Sequence, residues 1–167
     1  MRSARLVALV LLASTAACAI PDPTTTVHLD CPDRASFAAV SPFLEDGCGT
    51  LYCHGAPARP LRIQGFSGLR RDPSDRPGGD PTTVAEVDEN YRAVCGLEPE
   101  IMSAVVAGQS LPEALLLVQK PRNETHHKAG IIVKAGDDGD TCLTSWLGGQ
   151  VDGKACQRAA ALWQLPP

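Results

Sequence analysis

The chain has 167 residues, and its 19 acidic and 15 basic side chains give a formal net charge of −4. No basic stripe remains for a nucleic-acid partner. With 14 Pro, 15 Gly and only 3 Phe, 2 Trp and 2 Tyr, it reads as one loop-rich domain with a thin core.

Residues 1–17 have the make-up of an export signal. Arg2 and Arg5 precede the apolar run Leu6–Leu12, and Ser14-Thr-Ala-Ala17 supplies small residues for cleavage. The run is too short to span a bilayer, which takes about 20 residues. The cysteine that follows, Cys18, is placed as in a lipoprotein signal, where it is acylated and becomes the new N-terminus. Thr15 stands where such signals usually carry Leu. Export and a lipid anchor in the envelope, on the outer membrane or periplasmic face, are therefore expected. Loss of Arg2 and Arg5 takes the formal charge from −4 to −6. Residues 18–30, rich in Pro and Thr, read as a tether, and residues 31–167 as the domain.

Within the domain, residues 36–44 predict a helix that Pro42 shortens or kinks. Gly47, Gly49 and Gly55 then mark a tight turn around Cys48 and Cys53. Leu61–Gly65 alternates like a brief strand, and residues 70–82 form a polar Pro/Gly loop. Thr83-Val-Ala-Glu86 is a capping box opening a helix to about Val94. A second helix starts at Pro99 and ends before Gly108. Pro112–Val118 is a buried apolar run of helical composition. Asp140–Leu147 and Lys154–Leu165 are the last two helices. The whole is expected to be mainly α.

Apart from Cys18, the cysteines are Cys31, Cys48, Cys53, Cys95, Cys142 and Cys156. In an exported protein an even set reads first as disulfides. Parity does not decide between three bridges and two, with Cys48 and Cys53 employed otherwise. Cys142 and Cys156 are placed to staple the last two helices.

The densest constellation is Cys48-Gly-Thr-Leu-Tyr-Cys53-His54-Gly55. Two thiols followed at once by an imidazole are what covalent haem attachment requires: each thiol adds across a vinyl group, and the histidine ligates the iron. The spacer here is four residues instead of the usual two. The competing reading is a small Cys48–Cys53 disulfide loop with His54 facing solvent. Zinc is a third option, but no second closely spaced Cys pair accompanies it.

Residues 36–147 resemble the cytochrome-c-like module of large secreted planctomycete proteins. That module has a Cys-x4-Cys-His-Gly segment, then "LSLxGF", "PxSLLLxKP", "HGGG" and "YxxLxxWI". Here Leu61-Arg-Ile-Gln-Gly65-Phe66, Pro112-Glu-Ala-Leu-Leu-Leu-Val-Gln-Lys120-Pro121, His127-Lys-Ala-Gly130 and Cys142-Leu-Thr-Ser-Trp146-Leu147 follow in the same order. Gly68-Leu69-Arg70 is similar to a myxobacterial lipoprotein branch. Lys128 and Ala129 replace two glycines, and the stretch 67–111 is an insert with its own Cys95.

The resemblance implies a small cytochrome-c-like domain with haem c on Cys48, Cys53 and His54. His127 matches the second histidine of the module and is the candidate distal ligand. His126, Met102 and His28 are the other candidates, Met102 reading better as core. Arg59, Arg62, Arg70 and Arg71 are candidates for the haem propionates, though solvated loop charge is their simpler reading. A redox protein is the implied partner. The alternative function is a haem-free, disulfide-stabilised structural or binding lipoprotein. No phosphate loop, G-x-S-x-G or paired-carboxylate signature points to an enzyme.

Overall fold

The structure, a computed structural model, describes residues 29–164. The signal, Cys18, His28 and most of the tether lie outside the described residues. The fold is mainly α. The helices are α1 (Arg34–Gly47), α2 (Val84–Cys95), α3 (Pro99–Val106), α4 (Leu116–Arg122), α5 (Asp138–Leu147) and α6 (Gly153–Ala161), with a 3-10 turn at Pro112–Ala114 before α4.

Local chemistry sets most helix starts. Asp33, Thr83, Asp137 and Asp152 each accept a hydrogen bond from a first-turn N–H, and Thr83 and Glu86 complete the predicted capping box. α1 is longer than expected because Pro42 does not end it. Pro42 and Ala38, whose carbonyl loses its intrahelical donor, both lie on the exposed side, where water can serve that carbonyl.

α6 packs against both α1 and α5. Phe37, Val40, Phe43 and Leu44 of α1 meet Leu143, Trp146 and Leu147 of α5 in the core. Phe37 lies edge-on to Tyr91 and is tilted against Trp146, with ring centres 5.5 and 5.1 Å apart. Two disulfides reinforce this thin core. Cys31–Cys95 ties the entry of the domain to the end of α2, and Cys142–Cys156 joins α5 to α6 as expected. They mark a non-reducing environment. Among the described residues, no helix is long and apolar enough to cross a membrane.

α6 ends at Ala161, earlier than expected, and two further expectations fail. Leu61–Gly65 is not a strand; one isolated bridge, Gln64 to Leu69, is all that forms. The Asn90 side chain takes the place of a neighbouring strand, accepting from Gln64 N (2.6 Å) and donating to Gln64 O (2.7 Å). The run Pro112–Val118 is also not one helix, since Leu115 is extended (φ −81°, ψ 138°) and divides the 3-10 turn from α4.

The long polar loop is held to α2 by Arg70 and Glu86, both buried. The Arg70 guanidinium donates to Glu86 Oε1 (2.8 Å) and to the carbonyls of Asp80 and Pro81. Burial alone would raise the Glu86 carboxyl, but bonds from Arg70, Thr83 and Arg71 outweigh it and bring it down to about 2. Glu45 is the reverse case: burial raises it despite bonds from Ser41 and Thr82. A depressed carboxyl stabilises the fold above its unfolded value, and that stability fades as pH falls through the folded value. Glu86→Gln should therefore cost about 3–5 kcal/mol at pH 7 by stranding Arg70. The cost should shrink as pH falls from 4.5 towards about 2. Glu45→Gln should instead remove a destabilisation that grows as pH rises through the Glu45 value. Urea melts of both variants across this range check the opposite signs.

Candidate haem site

The cysteine segment begins where α1 ends. Cys48 is the C-cap, its N–H bonded to Leu44 O at 3.0 Å. The chain then doubles back: His54 N donates to Cys48 O (2.8 Å), and Cys53 N and Gly55 N both donate to Thr50 O (2.9 Å). This tight return explains two glycines. A Cβ at Gly55 or Gly68 would run into the carbonyl oxygen of Gly49, so three backbone segments meet where no side chain fits.

Behind the turn, the segment from Leu61 backs His54. Ile63 N donates to His54 O at 2.9 Å, and His54 Nδ1 lies 3.0 Å from Leu61 O. That contact suits an Nδ1–H donor and leaves Nε2 with its lone pair free. Burial is the first cause lowering the His54 pKa, with His127 and Arg59 adding to it against the Leu61 bond, so the imidazole is neutral near pH 7.

His127 is set by a second turn. Asn123 closes α4 in the left-handed conformation (φ 58°), and its Oδ1 accepts from His127 N at 3.0 Å. Gly130, at φ 75°, closes the turn by donating to His127 O, and its carbonyl lies 3.0 Å from His127 Nδ1. Gly130 needs its positive φ, whereas Lys128 and Ala129 occupy positions that do not.

These two turns bring together residues 73 positions apart. The imidazoles of His54 and His127 are parallel within 7°, with ring centres 6.4 Å apart. That is too far for direct face contact of stacked rings. Each Nδ1 faces a backbone carbonyl, and neither Nε2 has a hydrogen-bond partner among the described residues. Two imidazoles binding one metal ion from opposite sides through their in-plane nitrogens would have centres roughly 6.2 Å apart, from metal–nitrogen bonds of about 2.0 Å and about 1.1 Å from nitrogen to ring centre.

Cys48 and Cys53 are free thiols, both partly buried. The competing arrangement, a third disulfide between Cys48 and Cys53, is not formed. Burial, with Cys53 nearby, pushes the Cys48 thiol up to about 12. It is protonated at neutral pH and a poor partner for thiol exchange.

Two cavities meet at the histidine pair. One of about 270 Å³ includes Cys53, Arg59 and Lys128 in its wall. The other, about 440 Å³ and mostly apolar, is lined by Leu61, Leu97, Leu116, Leu117 and Pro121 among others. His126 borders the larger one but is exposed. Met102 is 1 % exposed in the core and lines neither. Arg70, a candidate for propionates, is committed to Glu86 in the interior, and Arg62 and Arg71 are exposed loop residues. Of the four arginines, Arg59 alone lines these cavities, donating to Tyr52 O and Cys53 O at 3.0 Å. Sequence reasoning gave Asn123 no part in the site, although its signal was present as a helix-ending residue after a Lys/Arg turn.

Among the described residues, no three His, Cys, Asp or Glu side chains gather as a metal-binding group. No family model, curated protein or solved structure matches this chain. The reading of the site therefore stands on its geometry. The packing at Gly49 gives its own test. Gly68→Ala should lower stability by about 3 kcal/mol or more, since the obstructing atom is backbone and cannot rotate away. Urea unfolding followed by tryptophan fluorescence measures it.

Proposed function

We propose that this protein is a monohaem, c-type cytochrome-like lipoprotein that carries electrons at the cell envelope. The observation that carries the reading is the parallel pair His54 and His127, 6.4 Å between ring centres, which share a cavity wall with the unbonded Cys53, in a chain where Cys48 is also free and the other described cysteines are paired. A bare metal ion would find too few protein ligands here. A metal that brings four nitrogens of its own needs only two.

Haem c would supply a one-electron couple, held by thioether bonds to Cys48 and Cys53 with His54 proximal and His127 distal. The residues of this chain do the rest. The Leu61 and Gly130 carbonyls fix the ring orientations, the apolar wall of Leu61, Leu116, Leu117 and Pro121 excludes water, and Asn123 holds the His127 turn. A group held by both His54 and His127 would take its ligands from the protein alone, which suits electron transfer better than catalysis. Acylation of Cys18 would keep so small a domain at the membrane surface.

The deciding measurement is a pyridine haemochrome spectrum of protein exported together with haem-attachment machinery. A c-type spectrum is expected, and a colourless product would leave the haem-free structural or binding lipoprotein as the function. His127→Ala should keep the haem attached and convert it from low to high spin. Asn123→Ala should give a mixture of the two that an intact His127 alone does not. Cys18→Ser should move the protein from the membrane to the soluble fraction.

A further inference from the structure

The charge around the histidine pair is opposite to that of the chain. The formal net charge is −4, yet neither cavity at the pair has an acidic residue in its wall. Three cations line them instead: Arg59, Lys120 and Lys128. Three further cavities each carry an aspartate, namely Asp46, Asp137 and Asp30.

These cations are also uncompensated. Arg59 spends hydrogen bonds on the Tyr52 and Cys53 carbonyls, and Lys120 donates to His126 O. None of the three takes part in an ion pair among the described residues, whereas Arg34, Arg70, Arg122 and Arg158 all do. Beside them Tyr52 is 91 % exposed and Leu51 51 %. An exposed aromatic within a one-sign rim is a usual make-up of a protein docking surface, the aromatic giving affinity and the charge giving encounter rate.

We infer that the mouth formed by Tyr52, Arg59 and Lys128 is the docking face for a redox protein that presents an acidic patch. The inference rests on the haem reading for the word redox. Haem carries its propionates on the edge opposite its vinyl groups. Haem attached through Cys53 would then leave Arg59 and Lys128, which share a cavity wall with that thiol, to the partner. The electron would leave at the face where the partner's negative charge is held, and no bond forms or breaks.

The binding test uses hexacyanochromate(III), a redox-inert paramagnetic trianion, added to the isotope-labelled exported protein made soluble by Cys18→Ser. Amide resonances of Tyr52, Arg59 and Lys128 should broaden first. The effect should weaken as salt rises past the range where the screening length is about 10 Å. Lys128→Gln should weaken it several-fold. Arg59→Gln should weaken it further, and Lys128→Gln alone suffices if Arg59→Gln disturbs the turn. Broadening centred elsewhere, or spread evenly, overturns the proposal.

On the haem-loaded protein, one electron passes from ferrous iron to ferricyanide, giving ferrocyanide. That rate should fall as ionic strength rises, although the net charge predicts a rise, and Lys128→Glu should reverse or flatten the slope. A colourless protein that still gathers the trianion at Tyr52 overturns the haem reading and leaves the cationic face standing. A haem-loaded protein with no local broadening overturns the face alone.

Discussion

The segment from Leu61 to Leu69 must satisfy its backbone polar groups with no neighbouring strand, and the site depends on how it does so. Ile63 N and the Leu61 carbonyl are spent on His54, Gln64 on the Asn90 amide, and Gly65 N on Leu69 O. A buried backbone group left unpaired would cost free energy comparable to a lost hydrogen bond. The imidazole of His54 is therefore oriented by the same contacts that allow this irregular chain to be buried at all. Ser41 and Glu45 of α1 and Thr82 of the loop close the network from the other side. The helix bearing Cys48 and the segment backing His54 share one polar core.

Legibility in the sequence tracked the range of the interaction. The capping box at Thr83, the Pro99 start and the Leu147 end of α5 are set by residues within one turn and could be read off directly, whereas α6 stops at Ala161, short of the expected end. Leu61 and Ile63 are buried and Arg62 exposed, as the alternation required, but a strand needs a partner and the partner here is a side chain 26 residues away. Arg70 was misread for the same reason: its carboxylate lies 16 residues on, in a helix whose buried glutamate no local pattern reveals. The division of Pro112–Val118 at Leu115 has a nonlocal cause too, since Glu98 receives the Leu116 N–H that starts α4.

The histidine pair shows the limit most clearly. Nothing in the spacing of His54 and His127 announces that they face each other; only the resemblance ordered the two motifs. Parity likewise could not assign the cysteines. The fold assigns them by placing Cys31 beside Cys95 and Cys142 beside Cys156, and by holding Cys48 and Cys53 on separate parts of a turn that other hydrogen bonds already close.

The Cys31–Cys95 bond also has a mechanical meaning. A chain held from its N-terminal side transmits any pull through Leu29 and Asp30 to Cys31, just ahead of α1. The covalent bridge diverts that load into the end of α2 before it can peel α1, and with it Cys48, away from α6. The cysteine turn, which follows α1, thus stands beyond the point where the chain is bridged.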